Sequence, residues 1–253
     1  MDDDGRVCLV TGAGRGIGAA VARRLSERGQ RVALCARSGD QLTAVAETLP
    51  GKSLVLPVDL LADGAVDRLF SSVEDAWGPV EILVANAGAG SSAPIPRITD
   101  ADWQRMLDIN LTTPFRCIRR ALPPMTTAGW GRIVVLASVA AKRGEPYIAA
   151  YTAAKHGVLG LVRAAAAETA RTGVTVNAVC PSYVDTPMTD GSVETIVART
   201  GRTHDEARAI LAAKQPIGRL VTVDEVANAV EFCITNPAVT GQGINVDGGA
   251  VQS

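Results

Sequence analysis

Short apolar runs alternate with longer amphipathic stretches along the whole of this 253-residue chain. The short runs are apolar at successive positions and rich in β-branched residues, which predicts strands buried on both faces, as in a parallel sheet. The stretches between them have helical periodicity and are long enough for right-handed crossover connections. We therefore predict one α/β domain over residues 1–253, built on a doubly wound sheet of seven parallel strands.

The predicted elements follow from this pattern. The strands are 6–10, 31–35, 53–57, 82–85, 132–137, 175–179 and 243–246, and the helices are 17–28, 39–48, 62–77, 114–126, 151–171 and 220–235. This is a Rossmann-type order, in which ligands bind at the carboxyl ends of the strands. Residues 187–216 interrupt it with two short helical pieces, 192–200 and 204–213, and we interpret them as a lid over a pocket.

Composition excludes several classes of protein. The 25 basic and 26 acidic residues nearly balance, which gives no electrostatic reason to expect nucleic acid or an anionic membrane as a partner. No signal peptide or membrane-spanning stretch is visible, so we expect a soluble cytoplasmic protein. The five cysteines are scattered, which predicts buried free thiols in a reducing compartment. The two histidines have no metal-site spacing, so we predict no metal.

A glycine-rich turn follows the first predicted strand and opens the first predicted helix. Gly12, Gly16 and Gly18 would let backbone N–H groups approach a pyrophosphate, which then faces the positive end of the helix. In this strand–turn–helix context the turn predicts nucleotide binding.

The end of the second strand indicates which nucleotide binds. Ala36 stands where a carboxylate would bond the ribose 2′-hydroxyl of NAD(H), and Arg37 follows it, with Arg15 expected at the same corner. Two guanidinium groups favour a 2′-phosphate, hence NADP(H), with NAD(H) left open as the alternative. We expect Asp40 to cap the following helix.

Tyr151 and Lys155 lie four positions apart in a run of small residues. On a helix they would project side by side, and the ammonium group would lower the pKa of the phenol. Such a pair could move protons, although the same spacing also occurs on surface helices, and the pair alone does not decide between the two.

The ordered set of motifs resembles the short-chain dehydrogenase/reductase family along essentially the whole chain. The matching pieces are the glycine turn from Thr11 to Gly18, Asp59 after the third strand, Asn86–Ala87–Gly88 after the fourth, Asn110, Ser138, the Tyr151–Lys155 pair, the segment from Pro181 to Thr186, and "INVDGG" near the end. The chain departs from the family pattern at Ala85, where many members have a second asparagine, and at Ser182, where many have glycine.

The resemblance implies four catalytic residues. Tyr151 would be the general acid in reduction and the base in oxidation, and Lys155 would hold the nicotinamide ribose. Ser138 would hydrogen bond the substrate oxygen, and Asn110 would hold a water in a proton relay behind the lysine. The expected cofactor-binding set is Gly12, Arg15, Gly16, Ile17, Gly18, Arg37, Asp59, Leu60, Asn86, Ala87, Gly88, Tyr151, Lys155, Pro181, Val184 and Thr186.

The substrate is the least constrained inference. We expect a pocket walled by residues 89–97, 139–147 and the lid, which combines apolar lid residues with the basic Lys142 and Arg143. Such a site suits an apolar acyl chain with an anionic handle, as in a 3-oxoacyl thioester of acyl carrier protein or coenzyme A, and the sequence is similar to 3-oxoacyl reductases of the family. Lys142 and Arg143 in a solvated loop is an equally good interpretation.

Two rival functions stay open. One is an NAD(H)-dependent dehydrogenase of a cyclic or steroid-like secondary alcohol, and the other is a nucleotide-sensing scaffold without catalysis. Two helices, 114–126 and 151–171, are apolar on more than one face, which requires burial beyond one sheet face. Family members generally pair these helices, and the resemblance therefore implies a homotetramer.

Overall fold

The computed structural model describes residues 5–252, so that the acidic residues 1–4 lie outside the described part. Its centre is a seven-stranded parallel sheet in the order β3-β2-β1-β4-β5-β6-β7. The strands are β1 (Val7–Thr11), β2 (Arg31–Ala36), β3 (Ser53–Pro57), β4 (Ile82–Ala85), β5 (Gly131–Leu136), β6 (Val174–Pro181) and β7 (Gly243–Val246). The predicted fold class is confirmed, and every predicted strand is present.

Nine α-helices surround the sheet in the described residues. They are α1 (Gly16–Glu27), α2 (Gly39–Ala46), α3 (Ala65–Trp77), α4 (Asp100–Leu107), α5 (Thr113–Ala128), α6 (Ala149–Thr169), α7 (Pro187–Thr200), α8 (His204–Ala213) and α9 (Val223–Thr235). None of the helices in this part of the chain is long and apolar enough to cross a membrane.

Two apolar cores cover the two faces of the sheet. One contains Leu69, Phe70 and Val158, from helices on one side, and the other contains Val21, Val226 and Val230, from helices on the other. The strands alternate between the two cores, since Leu9 faces the first and Val10 the second. Burial on both faces explains why the strands are apolar at successive positions.

The strand order reverses between β1 and β4, which pair directly with Leu9 opposite Leu83. At this point the connections from the two halves of the sheet run in opposite directions and leave a crevice at the carboxyl ends of the strands. The glycine turn follows β1 and Asn86 follows β4, so the fold brings both motifs to the crevice.

One region was not predicted. Helix α4 and a following π-helical turn, Asp108–Thr112, lie where the sequence showed no element before residue 114. The local signal was a cap, because the hydroxyl of Thr99 accepts a hydrogen bond from the amide of Asp102. The first lid helix also begins earlier than predicted, at Pro187, a residue suited to the first turn of a helix. Asp40 does not cap α2, because Ser38 does.

Candidate active site

A cleft of about 400 Å³ opens at the carboxyl edge of β1, β2 and β4. Twelve of the sixteen expected cofactor-binding residues line it: Gly12, Arg15, Gly16, Ile17, Gly18, Arg37, Asp59, Leu60, Asn86, Ala87, Gly88 and Thr186. The other lining residues include Ser38, Gln41, Arg105 and Met188, which the sequence did not point to. A larger hollow of about 710 Å³ lies between α1 and α9, at the amino ends of the strands and away from these motifs.

Backbone hydrogen bonds and two side chains fix the glycine turn. The hydroxyl of Thr11 accepts hydrogen bonds from the amides of Asn86 and Ala87, each at 3.0 Å. The side-chain amide of Asn86 donates in return to the carbonyl oxygens of Thr11 and Gly12, at 2.9 and 3.1 Å. Asn86 is therefore the clamp that joins the ends of β1 and β4.

Only glycine fits two positions of this turn. Gly12 has a φ of +67°, in the left-handed region. A Cβ atom at Gly18 would lie 2.2 Å from the carbonyl oxygen of Gly12 and 2.6 Å from Nδ2 of Asn86. The first helical turn of α1 thus packs directly on the glycine turn, and the free N–H groups at the start of α1 face the cleft.

Arg15 and Arg37, which the sequence places beside a nucleotide, meet no carboxylate on β2. Ala36 ends the strand, and Arg37 and Ser38 line the cleft together with Arg15 from the glycine turn. Asp59 also lines the cleft, and its Oδ1 accepts a hydrogen bond from the amide of Leu61 at 3.0 Å. Pro181 and Val184 of the expected set do not line it, and Val184 is buried in a short bridge with Val221.

A second cluster forms where β5 and α6 meet. The hydroxyl of Ser138 is hydrogen bonded to the phenol of Tyr151. Lys155 is buried, and its Nζ donates to the carbonyl oxygen of Leu136 at 2.7 Å and lies 5.6 Å from the centre of the Tyr151 ring. Tyr151 and Lys155 are therefore neighbours on one helix face, as predicted, with Ser138 beside them.

Burial sets the protonation of this pair. Removal from water raises the pKa of Tyr151, although the hydrogen bond from Ser138 opposes the shift. Burial also lowers the pKa of Lys155 to about 8. The predicted lowering of the tyrosine pKa by the ammonium group is wrong for this arrangement, because burial is the largest influence on that pKa and raises it.

Asn110 is fully buried in the π-helical turn. Its amide group donates to the carbonyl oxygens of Ala89 and Met106 and accepts from the amide of Ala89 at 3.3 Å. A Cβ at Gly88 would lie 2.9 Å from Oδ1 of Asn110 and 3.8 Å from Nζ of Lys155. Gly88 therefore lies close to both Asn110 and Lys155. The π-helical turn places Asn110 behind the cleft.

Long side chains hold the loop that follows β5 in place. Nζ of Lys142 donates to the carbonyl oxygen of Gly243 at 2.7 Å, and Arg143 donates to the carbonyl oxygen of Ala250 at 2.7 Å and to Glu145 at 2.8 Å. Neither is a freely solvated cation, and neither is directed to an anionic handle. Both instead tie the loop after β5 to the carboxyl-terminal segment.

Glu145 joins that loop to the lid. Its Oε2 accepts hydrogen bonds from Nζ of Lys214, at the end of α8, and from the hydroxyl of Tyr183, both at 3.3 Å. Burial alone would raise the pKa of Glu145, but the hydrogen bond from Arg143 and the charge of Lys214 outweigh it and hold the pKa below its usual range. Residues 139–147 and 187–216 are therefore in direct contact through Glu145 and Lys214, and the pocket that they were expected to wall stays a prediction.

The comparison with known protein families decides what this arrangement is. A model of the short chain dehydrogenases matches residues 6–196. The chain belongs to the short-chain dehydrogenase family. The solved structures agree with the match: this short-chain dehydrogenase superposes on a variant of actinorhodin polyketide ketoreductase, solved with NADPH, with a TM-score of 0.91 at 38% identity over 98% of each chain.

Curated relatives place this short-chain dehydrogenase among enzymes that act on ketones and secondary alcohols. It is 39% identical to a putative ketoacyl reductase of Streptomyces coelicolor, over 97% of each chain. It is 38% identical to cis-4-hydroxycyclohexanecarboxylate dehydrogenase of Sinomonas cyclohexanicum, over 96% of each chain. The chain is an oxidoreductase, since the relatives are dehydrogenases and reductases of one family.

Proposed function

We propose that this short-chain dehydrogenase is an NADP(H)-dependent ketoreductase that acts on 3-oxoacyl thioesters carried by coenzyme A or acyl carrier protein. The observation that carries the proposal is the grouping of Ser138, Tyr151 and Lys155, in which Nζ of Lys155 lies 5.6 Å from the Tyr151 ring and bonds to the end of β5, just before Ser138. Gly88, which lines the nucleotide cleft, lies next to Lys155, so the pair is close to the place a nicotinamide would take.

The cleft fits a dinucleotide. The space at Gly12 and Gly18 is closed to any side chain, and the N–H groups that begin α1 are directed to it without an acidic residue in the first turn. Arg15 and Arg37 would hold a 2′-phosphate, and Asp59 and Leu60 would flank the adenine. The nicotinamide would supply the hydride.

The residues of the second cluster then have separate roles in ketone reduction. Ser138 and Tyr151 would bind the carbonyl oxygen, and Tyr151 would donate its proton as charge develops there. Burial raises the pKa of Tyr151, so the phenol carries the proton that ketone reduction requires. Lys155 would hold the nicotinamide ribose, and Asn110 would position the loop at Ala89 and a water behind the lysine.

The thioester substrate rests on the resemblance to ketoacyl reductases and on the lid. The lid has an apolar core of its own, in which Val193 and Leu211 pack with Leu220. An apolar acyl chain suits a space beneath such a lid. The anionic handle of the sequence prediction is not part of the proposal, since Lys142 and Arg143 are bound to backbone carbonyl groups.

Turnover of a small set of substrates tests the function. We expect reduction of acetoacetyl-CoA or of an acetoacetyl carrier protein with NADPH, and a lower KM for NADPH than for NADH. A lower KM for NADH would overturn the cofactor assignment. Turnover confined to cyclic alcohols and ketones would overturn the thioester and favour the second candidate, a cyclic-alcohol dehydrogenase.

That second candidate has one specific observation in its favour. The relative from Sinomonas, which is nearly as similar as the ketoacyl reductase, acts on a hydroxylated cyclohexane ring, as its name states. Oxidation of cis-4-hydroxycyclohexanecarboxylate by this chain with NAD+, at a rate above that of thioester reduction, would support it.

Assembly and location complete the proposal. We infer a cytoplasmic homotetramer that pairs α5 and α6 across a two-fold axis, because α5 exposes Phe115 and α6 exposes Ala164 and Ala167. All five cysteines are buried free thiols, which suits a reducing compartment. Light scattering of the purified chain would test the tetramer, and a monomer at micromolar concentration would contradict it.

A further inference from the structure

Arg105 lines the nucleotide cleft, and no motif of the sequence gives it a role. It lies on α4, where its carbonyl oxygen accepts a hydrogen bond from the amide of Asp108. Because its backbone is paired within the helix, the part of Arg105 that lines the cleft is the side chain. Within residues 5–252 its guanidinium group has no ion pair with a carboxylate, so both the charge and the flat face of the group remain for a ligand.

Arg105 and Arg37 stand on opposite walls of the cleft. Strands β2 and β4 flank β1 on its two sides, and Arg37 directly follows β2. The turn after α4 is tied to the other side, because the amide group of Asn110 is hydrogen bonded to the backbone of Ala89, which follows β4. A nucleotide in the cleft therefore has one of these guanidinium groups on each side.

The surroundings of Arg105 fit a flat aromatic base. Ile109 lines the same wall, one helical turn after Arg105. Leu61, which is 38% exposed, lines the cleft where β3 ends, and its amide holds the carboxylate of Asp59 in place at 3.0 Å. Apolar side chains, a carboxylate acceptor and a planar cation together match the faces and the amino edge of an adenine ring.

The 2′-phosphate of NADP(H) has other partners. Arg15, Arg37 and Ser38 line the cleft at the end of β2, on the wall to which Arg105 does not belong. A cation on the α4 wall is separated from this corner by the width of the cleft, so the base is the part of the nucleotide next to it. A guanidinium group stacks on an aromatic face by cation–π attraction and by contact of the two planes.

We propose that Arg105 is a nucleotide-binding residue whose guanidinium plane packs on the adenine ring, with Ile109 beside it. This rests on the proposed function, since it requires a dinucleotide in the cleft. Arg105 then adds affinity for NADPH and NADH alike, whereas Arg37 distinguishes the two. Arg105 takes no part in the proton transfer, and the nicotinamide end of the nucleotide does not touch it.

Two variants of Arg105 and one matched control test this role. Arg105→Ala removes the plane and the charge, and Arg105→Lys keeps a charge without the plane. Arg23→Ala makes the same charge change at an exposed position of α1 outside the cleft. Isothermal titration calorimetry of the purified chain gives the Kd of four probes: NADPH, NADH, ADP, which has the base but no 2′-phosphate, and reduced nicotinamide mononucleotide, which has no adenine.

Arg105→Ala is expected to raise the Kd of NADPH, NADH and ADP by about fivefold each, as the cation–π contact is lost. The Kd of the mononucleotide should change by less than about twofold, since it has no base for Arg105 to hold. Arg105→Lys should recover only part of the loss, because an ammonium group has no plane to stack. Arg23→Ala should leave all four values unchanged, and the Tm of every variant should stay within about 2 °C of wild type.

A loss confined to NADPH would overturn the proposal and assign Arg105 to the 2′-phosphate. Equal Kd values in Arg105→Ala and Arg23→Ala would overturn it, and so would full affinity for NADPH in Arg105→Lys. If the wild-type chain binds NADPH and NADH but reduces no thioester, the proposed function fails, while the expected pattern of Kd values still supports the role of Arg105. If it binds neither nucleotide, both proposals fail.

Discussion

The two halves of the proposed active site, one for the nucleotide and one for the substrate, are built from opposite kinds of residue. The nucleotide half consists of glycines and backbone groups packed so closely that a Cβ at Gly18 would overlap the carbonyl group of Gly12. The substrate half consists of long side chains, and Glu145 there gathers Arg143, Tyr183 and Lys214 from three different segments. The shape of the nucleotide half depends on glycines that have no side chain. The shape of the substrate half depends on hydrogen bonds between long side chains.

This difference has consequences for tolerance to change. A turn of the backbone with no free space has one working form, so a single added methyl group displaces it. A network of side chains can lose one hydrogen bond and retain the others. Replacing one of its side chains therefore alters the shape of the pocket without loss of the fold. Substitutions should therefore be tolerated better in the substrate half than in the nucleotide half.

The largest effect on turnover is expected at Tyr151, where the nucleotide and substrate halves meet. Tyr151→Phe should lower kcat by about 10²–10⁴-fold, because the proton donor is lost. The Kd of NADPH should change by less than about threefold, since the phenol adds little to binding if the glycine turn is intact. Stopped-flow turnover and fluorescence titration would measure the two. A large loss of NADPH affinity would show that the halves are not separable in this way.

One added methyl group in the nucleotide half should lower both the stability of the protein and its affinity for NADPH. Gly18→Ala should destabilise the protein by about 1–3 kcal/mol, because its methyl group has no room, and should raise the Kd of NADPH by at least about tenfold. Gly191→Ala is the matched control: Gly191 lies inside α7 with nothing near the added methyl group. That variant should be neutral or more stable by up to about 1 kcal/mol. Equal Tm values for the two variants would contradict the packing explanation.

These two halves also differ in how much of them the sequence predicts. The glycine turn, Asn86, Gly88 and the Tyr151–Lys155 pair were placed correctly at one edge of the sheet. Their positions follow from where strands end, and strand ends are local features of the pattern. The sequence marks Asn110 but not the π-helical turn that carries it, because the only local signal for the preceding helix is the single cap at Thr99.

The substrate half could not be predicted in the same way. Lys142 and Arg143 were considered as binders of an anion or as solvated side chains, and the structure places them on the carbonyl groups of Gly243 and Ala250. These partners are about a hundred residues away in the chain, and no local pattern marks such a pair. The pKa of Tyr151 was mispredicted for a related reason, since burial depends on the whole fold.

The preference for NADPH over NADH is expected to depend on Arg37 in the nucleotide half. Arg37→Asp should lower kcat/KM for NADPH by about 10–100-fold and leave NADH nearly unaffected or improved, because a charged hydrogen bond contributes about 1.5–3 kcal/mol. Arg23→Asp makes the same charge change on an exposed face of α1 outside the cleft. If both variants lose NADPH activity equally, the net charge of the protein, rather than the arginine in the cleft, sets the preference for NADPH.

A pH profile would show whether turnover depends on the charge of Lys155. With its pKa lowered to about 8, the ammonium form is complete at low pH and declines as pH rises through that value. We expect kcat/KM for ketone reduction to be level below about pH 8 and to fall by up to about tenfold per pH unit above it. Arginine stays charged throughout, so a Lys155→Arg variant should lose this limb of the profile whatever its absolute rate. Persistence of the limb would assign it to another group.

The smallest effect is expected in the substrate half. Glu145→Gln leaves Arg143 and Lys214 without their carboxylate and should cost about 1–3 kcal/mol of stability, because hydrogen bonds to charged groups are lost. The KM for the ketone should rise a few-fold as the wall and lid separate, while the KM for NADPH stays constant. Glu194→Gln is the control, since Glu194 meets His204 on the lid at 2.8 Å with both side chains more than 60% exposed, and exposed pairs contribute about 0–1 kcal/mol.

The difference in Tm between wild type and Glu145→Gln should depend on pH. The native-state pKa of Glu145 lies below its usual range, so its contribution to stability is present in full above the unfolded-state value of about 4.3 and disappears as pH falls through the native-state pKa. The Tm gap between wild type and Glu145→Gln should therefore be constant from about pH 6 to 8 and narrow below about pH 4. A gap that does not narrow would mean that the shape of Glu145, rather than its charge, joins the lid to the wall, and that the two halves of the cleft are after all held by the same kind of contact.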